Sequence, residues 1–217
     1  MAALVVVLVS ACADEPVTPS RSSPPSVAVE APLGTAVLVD EVPIAAEEVD
    51  RWAGWIADLE PEYVLNAQRR LALTNGLLER AAVAAKFADE RERARALIAR
   101  ASDGERDLDG LIVSEIQGSW RDLSLQLWGE LQPVRVDEWI GPFERPGVFT
   151  LARVQSVDEN HGLQSLAVEL VQAPFLPTEG SAAAIRDAVD GSKLTIVDDA
   201  FGDAIPEAWK YRMRGPQ

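Results

Sequence analysis

Apolar residues recur through residues 46–59 at helical spacing, with Val49, Trp52, Ile56 and Leu59 on one stripe. Glu47, Glu48 and Asp50 stand near the start of that stripe, where the helix dipole favours anions. The preceding run TAVLVD (35–40) predicts a short strand, and Glu41-Val42-Pro43-Ile44 a turn into the helix. Pro61 suits the first position of a second helical segment, residues 62–101, which is rich in Ala, Leu, Arg and Glu and interrupted only by Gly76. Its stretch DERERARALIAR (89–100) pairs opposite charges three and four residues apart and reads as a solvated helix face. Asp103-Gly104 ends the segment. Leu108, Leu111, Ile112, Ile116, Trp120, Leu123, Leu127 and Leu131 then share one side of a third helix, predicted over 108–131 and closed by Pro133.

Beyond Pro133 the pattern changes. WIGPFERPGVFTLARVQSV (139–157) predicts two strands, with Arg145-Pro146-Gly147-Val148 suited to a type II turn. LAVELVQAPFLP (166–177) and KLTIVD (193–198) predict two more. SAAAIRDAV (181–189) between them predicts a short helix with Ser181 as its N-cap. The tail IPEAWKYRM predicts a helical turn that packs Trp209 and Tyr211. The fold class expected is α+β: a helical half over 34–132, then a small mixed α/β half over 133–217.

The N-terminal run LVVVLVSA (4–11) is far shorter than the roughly 20 residues that span a bilayer, and it suits the apolar region of a secretory signal. It ends Val9-Ser10-Ala11-Cys12, which resembles the bacterial lipobox of an aliphatic residue, two small residues and cysteine. The resemblance implies a lipoprotein signal over 1–12, cleavage before Cys12, and lipid attachment to its thiol. Residues 13–33 hold prolines at 16, 19, 24, 25 and 32 and four serines, a composition that predicts a disordered tether. The expected location is extracytoplasmic, the periplasmic side included, with the chain anchored to a bacterial membrane through Cys12.

Composition narrows the chemistry. With 35 acidic against 20 basic residues the net charge is −15, which excludes the positive footprint of a nucleic-acid binder. The same charge repels an anionic membrane surface, so attachment requires the lipid and not a basic patch. One cysteine excludes an internal disulfide and a multi-cysteine zinc site. The glycines are scattered singly, giving neither a P-loop nor a dinucleotide fingerprint, and no cofactor is expected. ERDLDGLIVSEI (105–116) matches part of a calcium loop, but position 12 is Ile116 and Glu115 falls one residue early. It reads as a helix entry capped by Asp107 or Asp109, and no metal is expected.

AVLVDEVPIAAEEVDRWAGWI, a short strand followed by Pro-Ile and an acidic helix start, resembles the opening of the SurA-like N-terminal domain of periplasmic foldases. NAQRRLALTNGLLERAAVAA is similar to that family's second helix, and the resemblance covers residues 35–131. Asp40-Glu41 stands where the family usually carries Asn-Gly. The resemblance implies a helical domain that cradles unfolded polypeptide, often beside a parvulin-type peptidyl-prolyl isomerase domain. WIGPFERPGVFTLARV is similar to the end of a parvulin domain, yet it precedes LAVELVQAPFLP, which is similar to a parvulin's opening strand. A complete parvulin domain in normal order does not fit between 139 and 217.

Parvulin sites draw on paired histidines with a cysteine or aspartate, whereas this chain has one histidine, His161. In DENHGL it reads as a solvated turn residue, since Asn160 and Gly162 both tolerate positive φ, and it is expected to be dispensable. Of the six tryptophans, Trp52, Trp120 and Trp128 sit on apolar stripes and read as core. Trp55 and Trp139 are less constrained and are the candidate peptide-binding residues. The expected protein is a lipid-anchored chaperone or foldase-like binder of unfolded or partner polypeptide, without catalytic residues. The alternatives are an active prolyl isomerase with an atypical site and a purely structural envelope lipoprotein.

Overall fold

The computed structural model describes residues 31–132, 135–160, 163–177 and 179–213. The signal segment with Cys12, most of the tether, and His161 lie outside the described residues.

The fold is α+β, built on two antiparallel sheets of order β2-β1-β7 and β3-β6-β5-β4. Strand β1 (Thr35–Val39) is buried at every position, so both its faces are covered. The chain reverses at Asp40, which adopts φ +54°, and returns as β2 (Val42–Ala45) paired with β1. The predicted turn over Glu41-Val42-Pro43-Ile44 is therefore largely strand. Pro43 fits because β2 is an edge, where a missing N–H need break no ladder bond.

Helix α1 (Ala46–Leu59) follows with the predicted bounds. The expected second helix is three helices. It starts at Leu65 and not after Pro61, giving α2 (Leu65–Ala72), a kinked segment (Leu73–Leu77) and α3 (Leu78–Lys86). The kink is at Gly76, whose φ of +138° strains any side chain and whose α-carbon faces the Trp52 ring. A second break, at Phe87 (φ −119°, ψ 43°), carries no Gly or Pro signal and starts α4 (Ala88–Ser102).

The third helix predicted over 108–131 is the main correction. Residues 112–118 are extended as β3 (Ile112–Gly118), a 3-10 turn follows (Trp120–Asp122), and only α5 (Leu125–Glu130) is α-helical. Ile112, Ser114 and Ile116 alternate with Val113, Glu115 and Gln117, so the segment carries a strand period as well as a helical one. Pairing with β6 from Ile112↔Gln172 to Gly118↔Leu166 decides for the strand. Ser124 caps α5 by accepting the Leu127 N–H at 3.4 Å.

The hairpin of β4 (Trp139–Arg145) and β5 (Val148–Asn160) matches expectation, and β5 pairs along its length with β6 (Leu163–Pro174). Helix α6 (Ser181–Gly191) is entered from Gly180, in left-handed conformation, so Ser181 is its first residue and not its cap. β7 (Leu194–Ile196), a 3-10 segment (Asp199–Ala204) and α7 (Glu207–Lys210) are the last elements among the described residues. Trp209 is buried as expected, but Tyr211 is 91% exposed.

One apolar cluster unites β1, α1, the kinked segment and α3 with Phe201, Ile205 and Trp209 of the C-terminal segment and with Phe149, Leu151 and Val171 on one face of the larger sheet. The other face of that sheet packs Ala152, Val154, Leu166, Val168 and Leu170 against Leu123, Leu127 and Leu131. The pairings β1·β7 and β3·β6 each join residues from before 132 to residues after 133. Bidentate ion pairs Arg80–Glu48 and Arg91–Glu144, each with contacts of 2.6 Å, tie α3 to α1 and α4 to β4.

Candidate polypeptide-binding groove

The apolar stripe of α1 runs out of cover at its C-terminal end. Ile56 and Leu59 there form one wall of an open groove of about 690 Å³, with Leu71 and Asn75 from α2 and the kink behind them. The opposite wall is Trp120, Leu123, Leu125 and Trp128, from the 3-10 turn and α5. Glu60 and Arg121 supply its charged groups. Of the lining residues, Leu59 is 49% exposed and Tyr63 43%, and the next two residues in the chain, Val64 and Leu65, are 72% and 52% exposed.

Local chemistry fixes both walls. The link between α1 and α2 is held by buried Gln68, whose Nε2 donates to the Tyr63 carbonyl at 2.7 Å. On the other side Asp122 closes a capping box, its Oδ2 accepting from the Ser119 N–H at 2.7 Å and the Ser119 hydroxyl at 2.9 Å. Those bonds, the backbone one foremost, hold the Asp122 carboxyl below the usual carboxylate range.

Trp55 does not line the groove. Its half-buried indole lies on the backbone of Gly129, where an added Cβ would sit 2.1 Å from Trp55 Cδ2. Trp55 also leans on Trp52 at 5.7 Å between ring centroids, beneath the Arg51 guanidinium. It thus fastens α5, and with it one groove wall, to α1. Trp139 is elsewhere, on β4, with the Arg106 guanidinium 4.4 Å and the Arg153 guanidinium 4.9 Å from its ring centroid. The structure does not bring the two tryptophans into one site. Trp120 and Trp128, which the sequence assigns to the core, do pack half-buried against the second apolar cluster, but they also line the groove, as does Tyr63, which no pattern singled out. Their walls come from segments some sixty residues apart in the chain, so the available signal was only a local excess of aromatic residues near Pro61 and over 120–128.

The groove can bury apolar side chains while leaving a peptide backbone in water. Among the described residues no three His, Cys, Asp or Glu side chains gather as a metal set, and no helix is long and apolar enough to cross a membrane. Comparison of the chain with models of protein families, with curated proteins and with solved structures finds no match.

Proposed function

We propose that this is a lipid-anchored extracytoplasmic chaperone or foldase-like protein that holds unfolded or partner polypeptide without transforming it. The observation that carries the reading is the groove between α1 and α5, in which Leu59 and Tyr63 keep more than two-fifths of their surface exposed, with exposed Val64 and Leu65 following Tyr63 in the chain. Exposed apolar surface beside polar residues, when it gathers in one place, marks interaction sites on proteins. The resemblance of residues 35–131 to the SurA-like domain supports the same reading, and the lipobox-like Val9-Ser10-Ala11-Cys12 supports the anchor.

The energetics suit holding and release. Burying one Leu or Phe side chain contributes about 1.5–3 kcal/mol. Two or three such side chains, less the ordering of the client, correspond to dissociation constants between roughly micromolar and millimolar. A denatured client with the purified full chain tests the reading. The wild type suppresses aggregation, and Tyr63→Ala with Trp128→Ala removes most of that effect while the fold persists by circular dichroism. Undiminished suppression by the double variant overturns the groove assignment. Acceleration of prolyl isomerisation in a model peptide above the thermal rate overturns the non-catalytic part. Cys12→Ser releases the protein from the membrane fraction of a bacterial host, and unchanged partitioning contradicts the anchor.

A further inference from the structure

The four-stranded sheet has two edges, and they are built differently. On β4, Pro142 has no N–H to offer, the register shifts between Ile140 and Phe143, and Val136 bridges to Val154 nearby. Proline and bulges are the usual protections of an edge. β3 has neither. It pairs with β6 through seven consecutive residues without a shift, and its sequence IVSEIQG contains no Pro and no Lys. Among the described residues no backbone hydrogen bond outside the sheet involves 112–118, so the outward N–H and C=O groups of alternate residues form a ready template. Ile112 is 42% exposed and Val113 57%, β-branched residues that favour packing against a neighbouring strand.

We infer that the outer edge of β3 takes an extended segment of another polypeptide as a fifth strand, with a Lys or Arg of that segment opposite Glu115. The occupant follows from charge. Glu115 is the fourth of the seven residues, hence the middle of the strand, and it is exposed with no ion pair among the described residues. Its only hydrogen-bond partner there is the Gln117 side-chain amide at 2.7 Å. A second copy added by two-fold antiparallel pairing centred on the strand sets Glu115 against Glu115, a directly opposed like-charge pair between two chains of net charge −15. A cationic residue at that place in a different chain reverses the sign of the interaction. β3 also runs directly into Trp120, Arg121 and Leu123 of the groove, so a client held there has a strand edge beside it. The inference rests on the reading that this protein holds polypeptide, but on a surface separate from the groove, and the experiment separates the two.

The test uses the purified full chain and a labelled short peptide alternating Val and Thr about one central Lys. Two analogues carry N-methyl groups on one or the other alternate set of amides. Methylation of one set abolishes binding and methylation of the other leaves it unchanged, because only one edge of the peptide meets β3. Replacing the central Lys by Glu weakens binding roughly five- to tenfold, and Glu115→Lys restores the Glu peptide while weakening the Lys peptide. Equal effects of the two methylated sets, absence of the charge swap, or no binding overturn the inference. So does a concentration-dependent dimer of the chain that the Lys peptide does not dissociate. If Tyr63→Ala with Trp128→Ala abolishes binding of this peptide and Glu115→Lys leaves it unchanged, the groove reading stands and the β3 inference falls. If Glu115→Lys weakens it and the groove variant does not, the β3 inference stands whatever becomes of the groove.

Discussion

The two ends of α1 carry the same apolar stripe and meet different fates. Val49 is fully buried and Trp52 is 2% exposed, sealed in the main apolar cluster, whereas Leu59 on the same stripe is 49% exposed at the groove mouth. The difference lies in what stands opposite. Helix α1 packs against α2, β1, β2 and α5, with the Trp52 ring facing Gly76 of the kink and Trp55 lying on Gly129 of α5, whereas Leu59 at its C-terminal end lines the open groove. Periodicity states which residues turn inward. It does not state whether another element arrives to cover them.

The largest expected effect is at the sealed end. Leu77→Ala, in the kinked segment and in the same apolar cluster as Val49 and Trp52, lowers stability by about 2–5 kcal/mol in urea denaturation, because a fully buried leucine leaves a cavity. Leu59→Ala at the open end changes stability by less than about 1 kcal/mol, yet it weakens client binding. Equal losses of stability at both positions break the comparison.

Next in size is the fastening between the two. Gly129→Ala drives a methyl into the Trp55 ring and costs about 1–3 kcal/mol through overpacking. Trp55→Leu made in addition recovers part of that loss, and strict additivity in the double-mutant cycle means that the two residues do not share the contact. Arg91→Met, which leaves Glu144 of β4 without its bidentate partner in a partly buried setting, lowers stability by about 1.5–3 kcal/mol.

The smallest effect is a pH dependence. Burial raises the Glu130 carboxyl on α5 above its ordinary range, against the opposing pull of Arg51 at 3.6 Å. In the window between the ordinary and the raised value the native state binds more protons than the unfolded chain. Glu130 therefore contributes stability below that window and loses it as pH rises through the folded-state value. Glu130→Gln flattens this decline in a series of thermal melts from acid to neutral pH, and an unchanged slope contradicts the assignment.

Much of the fold was legible where local signals were unopposed. Residues 46–59 had one period and an acidic start, and the helix has those bounds. Pro146-Gly147 between two β-rich runs marked the β4–β5 hairpin. Residues 108–131 misled because Ile112, Ile116 and Trp120 satisfy a helical stripe while the alternation at 112–117 satisfies a strand, and β6, fifty residues on, makes the choice. The groove was less legible still. Trp120 and Trp128 pack on the second apolar cluster as their stripe implies, and nothing in one dimension shows that they also border an open space beside α1. Trp139 was free of any stripe for another reason: Arg106 and Arg153 cover its ring.

Two tyrosines give the most direct test of polypeptide capture at the groove. Tyr63 lies in the groove wall at 43% exposure, and Tyr211 is 91% exposed without lining the groove. A photoreactive phenylalanine analogue is placed at one position or the other in the full chain, which is then irradiated with a denatured apolar client. Position 63 forms the client adduct and position 211, though more accessible, does not. Adducts of equal yield at both positions, or none at 63, contradict the account.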